Sequence, residues 1–154
     1  MEITKEILNQ KFEYVDGNLF NRKNGKKYGT LRPNGYMQVC IKRKTYLMHR
    51  IIFMMHYGYL PKCLDHIDGN PLNNRIENLR EATQSENNCN QKLRITNKSG
   101  LKNIHWASDK RKWIAKITIN KKTKFLGAYK DLELAELVAE EARHKYHKEF
   151  ANHG

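Results

Sequence analysis

Residues 63–90, CLDHIDGNPLNNRIENLREATQSENNCN, leave the backbone few choices. Asp68-Gly69-Asn70-Pro71 is a concentrated turn signal, because glycine supplies positive φ and proline can continue neither a helix nor an inner strand. Ahead of it, Cys63 to Ile67 reads as a short strand. Ile76 to Ala82 reads as a second extended piece, and Thr83-Gln84-Ser85 opens a helix with Ser85 as N-cap before Glu86 and Asn87. Strand, loop, strand and helix thus follow one another within about thirty residues, connected by short segments.

The polar side chains of this string suit one kind of chemistry. Adjacent strand residues point to opposite faces, so Asp65 and His66 need a turn at the strand end to approach one small volume. The Asp65 carboxylate and the Asn87 amide oxygen are hard ligands. With waters and a phosphate oxygen they suit one Mg²⁺ or Mn²⁺. The imidazole of His66 can take a proton from water near neutral pH, while the metal stabilises the leaving 3′ oxygen. Taken singly, each residue has an ordinary structural reading. His66 can be a hydrogen-bonded histidine, Asn78 can pin a loop, Asn87 can start a helix, and Asp68, Asn70, Asn73 and Asn74 can be turn residues. Their joint spacing favours the site.

The net charge of +13 and pI of 9.7 favour a polyanionic partner, nucleic acid before an anionic membrane surface. The charge is also segregated. No acid lies between Asp16 and Asp65, a stretch that runs from Arg22 and Lys23 through Lys42, Arg43, Lys44 and Arg50 to Lys62. Acids then cluster at Asp65, Asp68, Glu77, Glu81 and Glu86. From Gln91 to Lys130 the only acid is Asp109, and Asp131 to Phe150 turns acidic again. A merely solvated surface would mix the signs. No apolar run can span a bilayer, and MEITKEILNQKFEY lacks the apolar core of a signal peptide. Cys40, Cys63 and Cys89 are odd in number, far apart and without a CxxC pair. They read as reduced residues of a cytoplasmic protein and not as a disulfide framework or a zinc cage.

Upstream, Phe12 to Val15 and Leu19-Phe20 form a hairpin around Asp16-Gly17-Asn18. Asn34-Gly35 marks a turn, Tyr36 to Ile41 a strand, and Lys42 to Lys44 a basic turn. Met48 to Tyr57 reads as a helix with Ile51, Ile52 and Met55 on one face, stopped by Gly58 and Pro61. Downstream, Lys92 to Gly100 (KLRITNKSG) reads as a basic linker. Asn103 to Trp106 is a short strand. Lys112 to Ile119 alternates, with Trp113, Ala115, Ile117 and Ile119 on one face and Lys112, Ile114, Lys116 and Thr118 on the other. Thr123 to Tyr129 is a third strand. Asp131 caps a helix to about Tyr146 whose stripe is Ala135, Val138, Ala139, Ala142 and Tyr146. The lysine face is free to meet DNA, with Lys112 and Lys116 on phosphates and Thr118 and Phe125 reaching base edges. A solvated lysine face is the competing reading.

DHIDGN, NNRIENL and SEN resemble the HNH endonucleases, and among them the phage and group I intron homing type in which the last histidine is asparagine. The resemblance implies His66 as general base, Asn78 as the residue holding the loop around it, and Asp65 and Asn87 as metal ligands. GYMQVCIKRKTYLMHR also resembles the region leading into this motif, with His49 structural and Arg50, like Arg75, at the DNA. SGLKNIHW, KWIAKI, KFLGAY and DLELAELVAEEA are similar to the plant Apetala/ethylene-response-factor DNA-binding domain found fused to phage HNH nucleases. In that family a three-stranded sheet enters the major groove. Asn103 stands where the family usually has glycine and His105 where it often has arginine, which alters the expected base preference.

The expected architecture is α+β: an HNH domain with N-terminal strands at 1–91, a linker at 92–100, and a three-stranded sheet packed on one helix at 101–154. The expected activity is metal-dependent hydrolysis of phosphodiester bonds in double-stranded DNA by a homing endonuclease. A monomer would nick one strand, and a weak dimer would be needed for both. The alternative is a sequence-specific DNA-binding protein with an inactive nuclease fold, disfavoured by the intact Asp65, His66, Asn78 and Asn87. RNA binding ranks last, because the sheet is expected to lack an exposed aromatic pair.

Overall fold

The structure, a computed structural model, describes residues 3–91, 93 and 97–151. Helices and strands are mixed, compatible with the α+β reading. The chain forms two compact units, Met1–Thr83 and Gln84–Gly154. The division falls ahead of the expected linker, of which residues 92 and 94–96 lie outside the described residues. Among the described residues no helix is long and apolar enough to cross a membrane.

The first unit opens with α1 (Lys5–Lys11), started by Thr4, whose side chain accepts from the Ile7 N–H. Sequence reading missed this helix, since seven residues give less than two turns of apolar period. Strands β1 (Phe12–Val15), β2 (Asn18–Asn21) and β3 (Lys27–Tyr28) form one antiparallel sheet. Strands β4 (Thr30–Leu31), β5 (Met37–Ile41) and β6 (Lys44–Leu47) form another. Both central hairpins close through two residues with positive φ, Asp16-Gly17 (48° and 80°) and Lys42-Arg43 (49° and 64°). Such turns match the right-handed twist of the strands. Helix α2 (Met48–Tyr57) ends at Gly58, whose φ of 81° lets its N–H reach the Met54 carbonyl. Its buried Met48, Ile51, Ile52, Phe53 and Met55 pack with Leu8, Phe12, Leu19, Val39 and Ile41 into one core.

Leu64 and Leu79 join that core from β7 (Leu64–His66) and β8 (Leu79–Glu81). These two strands pair antiparallel, with Asp65 opposite Arg80 and His66 opposite Leu79. The second expected strand is therefore split, because Ile76–Asn78 is a 3-10 turn. The β1–β2 hairpin braces the loop between β7 and β8. Arg75 pairs with Asp16 at 2.6 Å, and the Ile76 N–H donates to the Tyr14 hydroxyl at 3.0 Å. A Cβ on Gly17 would stand 2.9 Å from the Arg75 nitrogen and 3.1 Å from the Asn74 carbonyl carbon.

The second unit contains α3 (Gln84–Asn90), a sheet in the order β11-β10-β9, and α4 (Leu132–His147). The strands are β9 (Ile104–Ala107), β10 (Lys112–Ile119) and β11 (Lys122–Tyr129). Helix α3 begins at Gln84, so Ser85 lies inside its first turn and is not the cap the sequence suggested. Helix α4 is capped by Asp131, which accepts from the Glu133 N–H at 2.8 Å, and packs Ala135 and Ala139 with Ile104 and Ala115. Its buried stripe takes in Arg143 in place of the expected Val138 and Tyr146, which are only half-buried. The alternation along β10 is also imperfect. Ile114, on the lysine face, is buried, and a bulge leaves Leu126 unpaired between the Ala115–Gly127 and Lys116–Phe125 pairs.

Gly17→Ala is expected to cost roughly 1–3 kcal/mol, from a side chain at positive φ and from its push against the 74–75 backbone. Thermal melting reads this as a drop of several degrees. An unchanged midpoint would mean that the loop yields freely and is not braced by the hairpin.

Candidate active site

His66 is the third residue of β7 and is 6% exposed. Its Nε2 lies 3.1 Å from Asn74 Oδ1. Asn74 is 2% exposed and donates its own Nδ2 to the Leu72 carbonyl at 3.4 Å, which turns Oδ1 towards the histidine. An amide oxygen only accepts, so Nε2 carries a hydrogen. His49 of α2 stands edge-on to His66, with ring centroids 4.9 Å apart, and Tyr36 flanks both rings. Burial, then the charges of His66 and Arg50, push the pKa of His49 down to about 3. His49 is therefore a neutral wall at ordinary pH. Sequence reading took Asn74 as one more turn residue beside Asn70 and Asn73, since only the folded loop distinguishes it.

Asp65 precedes His66 in the same strand and is 5% exposed. Its Oδ2 accepts from Arg80 Nε at 3.0 Å and Nη2 at 2.9 Å, across the β7–β8 pair. Asp65 and His66 are the last two residues of β7, both buried, and the chain turns at Ile67 directly after them. Arg80 was missed from the sequence, although a cation two residues after Asn78 fits a carboxylate-bearing partner strand. A carboxylate offers about four lone-pair sites, so the guanidinium on one oxygen leaves capacity for a cation. Among the described residues no group of three or more His, Cys, Asp or Glu gathers in one place. A carboxylate oxygen such as that of Asp65 is a hard donor, the kind that Mg²⁺ takes one or two of while keeping its waters. Asn87 is the fourth residue of α3, in the second unit.

Asn78 ties the intervening loop together. Its Oδ1 accepts from the Asp68 N–H at 3.1 Å, and its Nδ2 donates to Asp68 Oδ1 at 2.9 Å and to the Asn73 carbonyl at 2.8 Å. Asp68 also accepts from the Asn70 N–H and from Asn73 Nδ2. Burial pulls the Asp68 carboxyl upward, but the bonds from Asn73, Asn70 and Asn78 together outweigh it and hold the group below its ordinary range.

The arginines expected at DNA are partly used within the fold. Arg50 donates to the Pro61 carbonyl at 3.0 Å, and Arg75 is paired with Asp16. In the second unit, Lys112, Lys116, Thr118 and Phe125 share one sheet face. Lys116 lies opposite Phe125 and Thr118 opposite Thr123. Lys116, Thr118 and Phe125 are exposed, while Lys112 is half-buried.

Residues 46–89, which hold the β7–β8 site, match the family model of the HNH endonucleases. The chain thus carries an HNH endonuclease-type domain. It is also 38% identical over 98 residues to Protein 3.8 of Escherichia phage T7, a stretch covering 61% of this chain and 78% of that protein. The chain belongs to the same family as that phage protein. No solved structure matches it.

The buried His49 has a readable consequence. Below the ordinary histidine value of 6.5 the unfolded chain binds a proton that folded His49 excludes until about pH 3. Stability should therefore fall as pH drops from 6.5, by at most roughly 1.4 kcal/mol per pH unit. Urea denaturation at neutral and at mildly acidic pH should show the gap, and His49→Gln should narrow it. Equal gaps in the two proteins would place the acid sensitivity elsewhere.

Proposed function

We propose that the chain is a metal-dependent endonuclease of double-stranded DNA, of the homing type, that nicks one strand per active site. The observation that carries this is the buried His66, its Nε2 fixed on Asn74, inside the segment that matches the HNH family. In this reading His66 Nδ1 takes the proton from the attacking water, and Asn74 holds the ring in the required tautomer. Asn78 keeps the Asp68–Asn74 loop in shape. Asp65, with Asn87 contributed by α3, holds one Mg²⁺ or Mn²⁺. When bound, the metal stabilises charge on the phosphate and the leaving oxygen. Arg50 and Arg75 lie near the DNA, and the Lys112–Lys116–Thr118–Phe125 face binds it, in the manner of the Apetala-type sheet. The Arg80 clamp on Asp65 is the feature that favours the alternative, a DNA-binding protein that does not cut.

Plasmid nicking with and without Mg²⁺ separates the two. His66→Ala should lose at least about a hundredfold in rate, the usual worth of a general base, while DNA affinity stays within a few-fold. Near-wild-type nicking by the pure variant would remove His66 from the mechanism. Asn74→Ala tests the positioning role. It should lower kcat with little change in KM, and the His66 ring nitrogens should show a mixed tautomer by NMR. An unmixed tautomer would assign Asn74 to loop structure alone.

A further inference from the structure

The second unit contains a cavity of about 950 Å³ bordered by α3, residues 97–108, β10 and the end of α4. This is the size of a small-molecule site. Among the described residues no aspartate or glutamate lines it, but Lys98, Lys102, Lys121 and Arg143 do. Arg143 is only 3% exposed, and its Nη1 donates to the Lys102 carbonyl at 3.1 Å. Two cations are thereby gathered in one wall. The carboxylates acting on Arg143, Glu140 and Glu136, belong to its own helix and do not line the cavity. Lys102 donates to the Gln91 carbonyl. Burial, then the charge of Arg143, lower its ammonium to about 8, against the opposing pull of Cys89.

Two further features point to a ligand. His147 Nε2 is 3.2 Å from the Thr118 carbonyl and so carries the hydrogen. Its Nδ1 is buried and has no hydrogen-bond partner among the described residues. Trp106 and Trp113 also line the cavity, edge to face at 4.9 Å, and Trp106 is 47% exposed. Trp113 is half-buried, so the pair presents one exposed ring. Trp106 and Trp113 are cross-strand partners on the face opposite Lys116 and Phe125, neither of which lines the cavity, while Thr118 of the lysine face borders it.

We propose that this cavity binds a nucleoside phosphate, with Arg143 and Lys102 on the phosphate and the base laid against Trp106. A phosphate supplies the negative charge that the wall lacks, and guanidinium matches its geometry. The indole offers a stacking face that tolerates any base. The His147 nitrogen is placed for a hydroxyl of the sugar or phosphate. The nucleotide is either free or part of a single DNA strand, and both present the same chemistry. The site does not depend on cleavage at His66.

Full-length protein at fixed salt is titrated with 5′-dAMP, with inorganic phosphate and with a short single-stranded oligodeoxythymidylate, following tryptophan fluorescence and heat. Saturable quenching by 5′-dAMP is expected. Lys102→Met keeps the aliphatic stem and should weaken 5′-dAMP by about tenfold or more, as for loss of a charged hydrogen bond. Trp106→Leu should weaken 5′-dAMP and leave inorganic phosphate unaffected, while Phe125→Ala should change neither. An oligonucleotide that binds about tenfold tighter than 5′-dAMP, with the same dependence on Lys102 and Trp106, assigns the site to a DNA strand. Equal affinity assigns it to a free nucleotide. Failure of both nucleotide probes to saturate, or affinities unchanged in Lys102→Met and Trp106→Leu, would overturn the proposal.

Discussion

The hydrogen bond between His66 and Asn74 is the constraint on which the first unit's organisation converges. A buried imidazole with one fixed proton needs a partner that can only accept, and the Asn74 oxygen is one. That oxygen is in place only if the loop from Asp68 to Asn78 keeps its shape. Asn78 and Asp68 close the loop from within, through three bonds of 2.8–3.1 Å made by the Asn78 amide. The β1–β2 hairpin closes it from outside, through Asp16, Gly17 and Tyr14. The α2 helix supplies the remaining wall with His49, kept neutral by burial. Elements distant in sequence thus serve one nitrogen atom.

Asp65, beside His66 in β7, follows a different logic. Asp65 and Arg80 form a buried pair, and removing one partner of such a pair costs about 3–5 kcal/mol, because the other charge is left without compensation. The net worth of the intact pair is much smaller. Loss of activity in a variant that deletes the Asp65 carboxylate would therefore mix a folding effect with any effect on metal. Replacing it with an amide of the same shape, and measuring stability alongside, separates them. Arg80 also fixes the carboxylate plane, which a metal ligand requires and which a solvent-exposed aspartate at that position would not have.

Much of this was legible in the sequence where a local rule acts alone. The α2 boundaries follow from an apolar stripe ended by Gly58, and the β1–β2 hairpin from Asp16-Gly17. For Asn78 the ordinary reading was a loop-pinning residue and the family resemblance implied one holding the loop around His66; its amide bonds Asp68 and Asn73. What escaped were features set by tertiary partners. Helix α1 is too short for its period to register. Asn74 is chemically identical to its neighbouring turn asparagines and is singled out only by facing His66. The partners of Asp65 and His66, Arg80 and Asn74, come from beyond the turn and carry no local signal. Trp106 and Trp113 read as ordinary sheet residues, since their pairing across β9 and β10 depends on register.

The +13 charge reads as one property of the chain, but in the second unit it divides into two physically different sets. Lys116 lies on an open sheet face in high dielectric, where attraction to a phosphate is screened within about 8 Å at physiological salt and works largely through counterion release. Arg143 and Lys102 sit in a cavity wall where burial has already removed part of their hydration, as the lowered Lys102 value shows. A ligand there meets cations that have less water to lose, and salt screens the contact far less. The two sets should therefore respond differently to ionic strength even if both bind phosphate: steeply for the sheet face, weakly for the cavity. Segregation of charge along the sequence favours a polyanionic partner. The depth at which a cation is held sets whether it is suited to steering a long duplex or to fixing a single phosphate.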